Sequence, residues 1–319
     1  MKLAVIYNPN DHKLSGNSYS QTYKHMLDAL LESPDWDSIQ IVAEGCDIDD
    51  DVDVIVIYDI HSLYHAEFPN LSEHKATKYS YFNDPHQEDM KGTYRDGTAF
   101  SKLGAKNRCE RAIQRGVDFI ICPYTEGFEK FLRPHLGING DHMHFWFPVA
   151  PKVQEFDHVP LVKRKQGILG SGHLWRGIEG FRPYKFRNWA YRRDHVDYVK
   201  HFLNDDRVPC GNMFLEFLSK WQAGLALTDW YVVPKYLEIP MAGCVCFAQR
   251  HVDYYLMGFI PKRNYIEVNE RNFDGYMSHF VENVEEYQPI ADAGRELILN
   301  NFTNVHFSKA LYNHAKKNV

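Results

Sequence analysis

The sequence predicts an α/β protein of two Rossmann-like, doubly wound domains facing each other across a cleft. Three observations predict it. The chain has 319 residues, 44% of them hydrophobic, which is more than one core of ordinary size requires. Short β-branched runs alternate with helical patterns in both halves, the pattern of parallel sheets with crossover helices. Between the halves Pro148, Pro151 and Pro160 flank a polar stretch over 154–158, as an interdomain linker would.

In the first domain, 1–152, residues 3–8, 39–42, 54–58, 79–82, 119–122 and 144–147 read as successive strands. Residues 20–31 and 104–115 read as helices, the second ended by Gly116 in the left-handed conformation. Thr125 reads as the N-cap of a short helix over 126–132, which Pro134 stops because the residue before a proline avoids the helical region. The second domain, 160–300, reads as strand 167–170, helix 213–221, strand 223–227, helix 234–242, strand 244–248 and helix 288–300. A last helix over 306–316 lies in a closing segment, 301–319, that can cross back to the first domain. No fixed-period repeat and no low-complexity segment interrupts this order.

Composition narrows the function. No apolar run reaches the ~20 residues that span a bilayer, and Met1-Lys2 leads straight into an apolar strand rather than a signal peptide, so a cytoplasmic protein is expected. Six cysteines occur without a Cys-x-x-Cys pair, and Cys122, Cys244 and Cys246 fall in apolar runs, so reduced thiols are expected. His142-Met143-His144 and Cys244-Val245-Cys246 put pairs on one strand face without further ligands, so no metal site is expected. The net charge of −6 gives no global attraction to nucleic acid, but it is uneven. Asp47, Asp49, Asp50, Asp51 and Asp53 crowd 46–53, whereas 163–200 holds ten Lys or Arg against Glu179, Asp194 and Asp197. That basic stretch is either a solvated helix face or a phosphate-facing surface.

The most diagnostic stretch is 232–247. Pro234 suits the first turn of a helix and Gly243 its end, bracketing a short helix between two apolar strands. Its N-terminus would face the cleft and offer unpaired N–H groups to an anion. Lys235 and Glu238, three apart, share a face, which sets a cation beside a phosphate and a carboxylate one turn deeper to accept ribose hydroxyls.

Lys235-Tyr236-Leu237-Glu238 followed by Ala242-Gly243 resembles the GT-B glycosyltransferases, and within group 1 the branch similar to CgeB-type spore-maturation enzymes. Gly170-Ser171-Gly172, Tyr184-Lys185-Phe186-Arg187-Asn188 and the segment 283–307 extend the likeness, which covers roughly 160–319. The resemblance implies a GT-B fold whose second domain binds a nucleotide sugar and whose first binds the acceptor. It implies that Glu238 holds the ribose, that Lys235 and Arg187 hold the diphosphate with Tyr236 beside them, and that Gly170, Ser171 and Gly172 let the backbone approach the donor. Arg176 is a further phosphate candidate, whereas Arg192, Arg193 and Lys200 read as helix surface. Related retaining enzymes place a second glutamate seven or eight residues upstream of the ribose-binding one, where this chain has Tyr231 and Trp230.

An inverting enzyme needs a general base at the carboxyl end of a first-domain strand. Asp84, His61, Asp59 and His12 are the candidates in that order, and Gly16 lies where the loop after the first strand could approach the donor phosphates. The resemblance further implies metal-independent hexosyl or pentosyl transfer to a hydroxyl of a saccharide or similar acceptor. It implies no cofactor beyond the co-substrate, for which a UDP-sugar is the first expectation. A phage-type enzyme acting on a hydroxymethylated DNA base is one alternative, given the basic stretch and 20 Tyr and 20 Phe. A non-catalytic nucleotide-sugar-binding protein is another. A dinucleotide oxidoreductase is disfavoured because Pro9-Asn10-Asp11-His12, not Gly-x-Gly-x-x-Gly, follows the first strand.

Overall fold

The computed structural model describes residues 1–11, 14, 22–58, 63–82, 104–136, 141–144, 158–172, 174, 182, 184–199, 212–229 and 231–319. Strands β1 (Lys2–Ile6), β2 (Ser38–Val42), β3 (Val54–Ile57), β4 (Thr77–Tyr81), β5 (Phe119–Cys122) and β6 (Asp141–His144) form one parallel sheet in the order β2-β1-β3-β4-β5-β6. Every side chain of Val54–Ile57 is buried, as a strand covered on both faces requires. The helices of this half are α1 (Thr22–Leu31), α2 (Ala105–Gln114), α3 (Thr125–Gly127) and, after a π turn over Phe128–Leu132, α4 (Arg133–Leu136). Gly116 ends α2 at φ +66°. There its N–H reaches the Ile113 carbonyl at 2.9 Å and that of Val117 the Ala112 carbonyl at 3.0 Å, the left-handed end expected.

Strands β7 (Lys165–Ser171), β8 (Val196–Val199), β9 (Trp221–Ala226), β10 (Val245–Ala248) and β11 (Ile266–Glu267) form a second parallel sheet ordered β11-β10-β9-β7-β8. Helices α5 (Lys185–Ala190), α6 (Asn212–Ser219), α7 (Lys235–Met241), α8 (Val252–Leu256), α9 (Phe273–Glu282), α10 (Gln288–Asn301) and α11 (Asn304–Ala315) complete the chain. One face of this sheet closes over Phe186, Phe247, Phe273 and Phe280, all buried. Each such ring contributes about 2 kcal/mol by leaving water. The other face joins a core that runs through α7 and α11 into the first sheet. Helix α11, opened by a Thr303/His306 capping box, packs on α1, with Trp36 edge-on to Tyr312 at 5.1 Å and the Tyr79 hydroxyl 2.8 Å from His314 Nδ1.

Three expectations need correction. Pro134 does not stop the helix near 132. The turn before it widens to π bonding, which gives the ring room and shifts the register, so Pro134 lands in the first turn of α4, where a missing N–H costs little. Thr125 is not an N-cap but the first residue of α3, and Tyr124, in extended conformation, precedes it without a side-chain cap. The sixth strand lies at Asp141–His144 rather than 144–147, of which 145–147 are outside the described residues. Strands β8 and β11 and helices α5, α8 and α9 are not among the elements expected from the sequence.

Candidate functional site

In the second sheet the strand order reverses at β7, which has β8 on one side and β9 on the other. The crevice beyond the carboxyl ends of β7 and β9 is where an open parallel sheet takes a ligand. Ser171 and Gly172 end β7 there. The Ser171 carbonyl accepts the Tyr191 hydroxyl at 3.0 Å and the Lys235 ammonium, and the Gly172 carbonyl accepts the Tyr198 hydroxyl at 3.1 Å. Gly172 has φ +110°, a backbone that strains other residues, and a Cβ built on it would displace the Lys235 ammonium and lie 4.0 Å from Arg187 Nη1. Gly170 is different. Its missing side chain leaves room for Val196, at 2.9 Å, and the Tyr191 ring, at 3.1 Å, so close packing accounts for it.

Arg187 lies on α5 with only 3% of its surface exposed; its Nε donates to the Leu227 carbonyl at 2.8 Å and its guanidinium rests on the Tyr184 ring at 3.8 Å. Lys235 opens α7. Burial, reinforced by the Arg187 charge, holds its pKa well below the ordinary lysine value, and Glu238 acts in the opposite sense. Half-buried Glu238 is pushed up to about 7 by desolvation, partly offset by Lys235. Two cations and a carboxyl that ionises near neutrality therefore meet at the switch point.

Two other expectations fail here. The Tyr236 ring is packed in the core, 0% exposed and edge-on to Tyr254 at 4.8 Å, rather than presented beside the cations. The first turn of α7 offers few free donors, because the N–H of Tyr236 goes to the Val233 carbonyl and those of Leu237 and Glu238 to Pro234, each at 2.9 Å. Side-chain cations, not the helix end, carry the positive charge. Beside them stands Asp229, unforeseen from sequence, whose carboxylate accepts the Lys185 N–H at 2.7 Å and Gln249 Nε2 at 2.8 Å. Only its place just after β9 could have signalled it.

The basic stretch divides by depth. Arg164 is buried and bonded to backbone carbonyls, Arg193 pairs with Asp274 at 2.5 Å, and Lys165 lies over Trp221 at 4.0 Å. Asp84, His61, Asp59, His12, Gly16 and Arg176 lie outside the described residues. Cys109, Cys122, Cys244 and Cys246 are buried free thiols, and among the described residues no group of three His, Cys, Asp or Glu is placed to hold a metal ion. No described helix is long and apolar enough to cross a membrane.

No family model and no curated protein sequence matches the chain. Solved structures do match. Anabaena HepE, solved with UDP-glucose, superposes with a TM-score of 0.65 at 8% identity over 100% of both chains. Sucrose-phosphate synthase of Thermosynechococcus elongatus gives 0.59 at 10% identity over 99% of this chain and 98% of its own. AviGT4, a glycosyltransferase involved in avilamycin A biosynthesis, gives 0.54 at 12% identity over 99% and 97%.

Proposed function

We propose that this chain, whose fold is that of the GT-B glycosyltransferases, moves a sugar from a nucleotide-sugar donor to a hydroxyl of a saccharide or similar acceptor. The observation that carries the reading is the meeting of Arg187 and Lys235 against Gly172, one helical turn from the half-buried Glu238. Two like charges in a partly buried place oppose each other, and a bound diphosphate offsets that cost. Glu238 then accepts ribose hydroxyls. The HepE complex with UDP-glucose supports a uridine diphosphate sugar as the first donor to try.

As the bond to the sugar breaks, negative charge gathers on the departing nucleoside diphosphate, and preorganised cations stabilise it there. Arg187 and Lys235 supply them in the described site, with Arg176 and Gly16 assigned to the phosphates on sequence grounds. Transfer accordingly proceeds in excess chelator; complete loss of turnover, restored by magnesium or manganese, refutes metal independence. The acceptor hydroxyl loses its proton to Asp84 or His61, with Asp59 and His12 next in order. Alanine at Asp84 or His61 abolishes transfer and leaves donor binding intact, and unchanged turnover in both variants removes them from the mechanism.

A thermal-shift series with UDP, GDP and ADP tests the donor site directly. A ligand at 100 times its Kd stabilises the folded chain by about 2.7 kcal/mol. UDP raises the melting temperature most, and the release of UDP from UDP-sugars in the presence of acceptor separates an enzyme from a binding protein. No shift with any nucleotide overturns the assignment.

A further inference from the structure

We propose that Asp253 is a positioning residue that fixes the two domains relative to each other, by capping with its carboxylate a helix of the opposite domain. Asp253 sits in the first turn of α8, in the second domain, and is 0% exposed. Its Oδ1 accepts the backbone N–H of Thr125, 3.0 Å away and 128 residues earlier in the chain. Thr125 opens the helical segment of the first domain that runs through α3, the π turn and α4. Helix starts leave N–H groups that a Ser, Asp or Asn ordinarily caps from the preceding position. Here that position is Tyr124, which makes no cap, and the acceptor comes from the other domain.

The anchorage of Asp253 is what makes this contact a latch. Its own N–H donates to His251 Nδ1 at 3.3 Å, which caps α8 and ties its backbone to the second domain while the carboxylate reaches the first. A buried carboxylate oxygen that gives up a hydrogen bond is costly, so sliding the domains past each other, which takes the Thr125 N–H from Oδ1, carries that cost. A second contact runs alongside. The rings of Tyr124 and Tyr231 meet edge to face at 5.4 Å, the Tyr231 hydroxyl lies 3.4 Å from that of Tyr184, and Tyr184 carries the Arg187 guanidinium. The domain contact is thus continuous with the cation cluster. Its consequence for sugar transfer rests on the donor-site reading above; the contact itself does not.

Thr125→Pro and Asp253→Ala remove the donor and the acceptor separately. Proline suits the first position of a helix, and Tyr124, at φ −118° and ψ 101°, already has the backbone that a residue before proline prefers, so the local chain admits Thr125→Pro, which removes the N–H and puts a ring carbon in its place that pushes the Asp253 carboxylate away. Small-angle scattering of the full chain, UDP affinity and turnover at saturating donor are measured on each. Both variants show a larger radius of gyration than the parent chain and UDP affinity within about twofold of it, because the donor site stays whole, while turnover falls about 10- to 100-fold. Asp253→Asn, which keeps an acceptor oxygen, retains the parental scattering. Parental scattering from both Thr125→Pro and Asp253→Ala overturns the proposal, as does loss of UDP affinity in step with turnover. If the parent chain transfers no sugar, the donor reading fails and scattering alone decides the latch; if Asp253→Ala does not fold, Thr125→Pro decides it.

Discussion

Helix α7 carries a cation and a left-handed glycine at each end, and the two pairs do different things. At its amino end Lys235 lies against Gly172, φ +110°; at its carboxyl end Gly243, φ +69°, lies against Arg164, whose Nη2 a Cβ would meet at 2.8 Å. Arg164 donates to the carbonyls of Val159 at 2.7 Å, Ala242 at 3.0 Å and Trp221 at 3.4 Å, tying the segment before β7 to the end of α7 and the start of β9. Lys235 reaches one carbonyl, Ser171, and has Arg187 as its neighbour. A buried cation surrounded by carbonyls is complete, whereas one set beside another cation is poised for an anion.

Substitution at the two cations should therefore separate binding from stability. Lys235→Ala weakens UDP binding about 100-fold, or ~2.7 kcal/mol, as expected for a charge-assisted bond to phosphate. Its melting temperature hardly changes, since a desolvated cation beside Arg187 adds little to folding. Arg164→Ala does the reverse, lowering the unfolding free energy by about 2–3 kcal/mol through stranded carbonyls while UDP affinity holds. Calorimetry and urea melts on both variants decide it. Equal loss of affinity in the two, measured where both are folded, breaks the distinction.

The glycines sharpen the same contrast at smaller size. Gly172→Ala strains a left-handed backbone by about 1–2 kcal/mol and displaces the Lys235 ammonium, so UDP affinity falls about tenfold. Gly243→Ala carries a similar strain of about 1–2 kcal/mol against Arg164 and appears in the melting temperature alone.

Much of this was legible in the sequence, and what was not has physical reasons. Alternating apolar runs located nine strands to within a few residues, most plainly β1, β3, β9 and β10, because strands buried on both faces leave little choice of side chain. Gly116 and Gly243 announced their helix ends, since left-handed backbone selects glycine strongly. Val196–Val199 escaped because it is a short edge strand whose residues are only partly buried. Tyr236 misled because a motif gives the spacing of a residue but not which side of a helix faces the core; the fully buried ring follows from packing against Tyr254. Thr125 and Asp253, 128 residues apart, meet only because α3 packs against α8 in the folded chain, and no local pattern records that.

The smallest predicted effect concerns Glu238, and it sets the two ends of α7 apart by pH. Burial raises its carboxyl from an ordinary 4.5 to about 7, with Lys235 partly opposing. The form that accepts ribose hydroxyls is ionised, and its fraction climbs from about a tenth at pH 6 to about nine tenths at pH 8. UDP affinity accordingly rises several-fold over that interval, and Glu238→Gln flattens the rise. Stability runs the other way. A carboxyl whose pKa is higher folded than unfolded favours folding below about 4.5, and that contribution is lost as pH climbs through about 7. Glu238→Gln thus raises the melting temperature at pH 8 more than at pH 5 while lowering UDP affinity at pH 8. Arg164, whose partners are uncharged carbonyls, gives no such crossing, so titrating the Arg164→Ala variant in parallel tests whether the opposition belongs to the cation–carboxyl end of the helix alone.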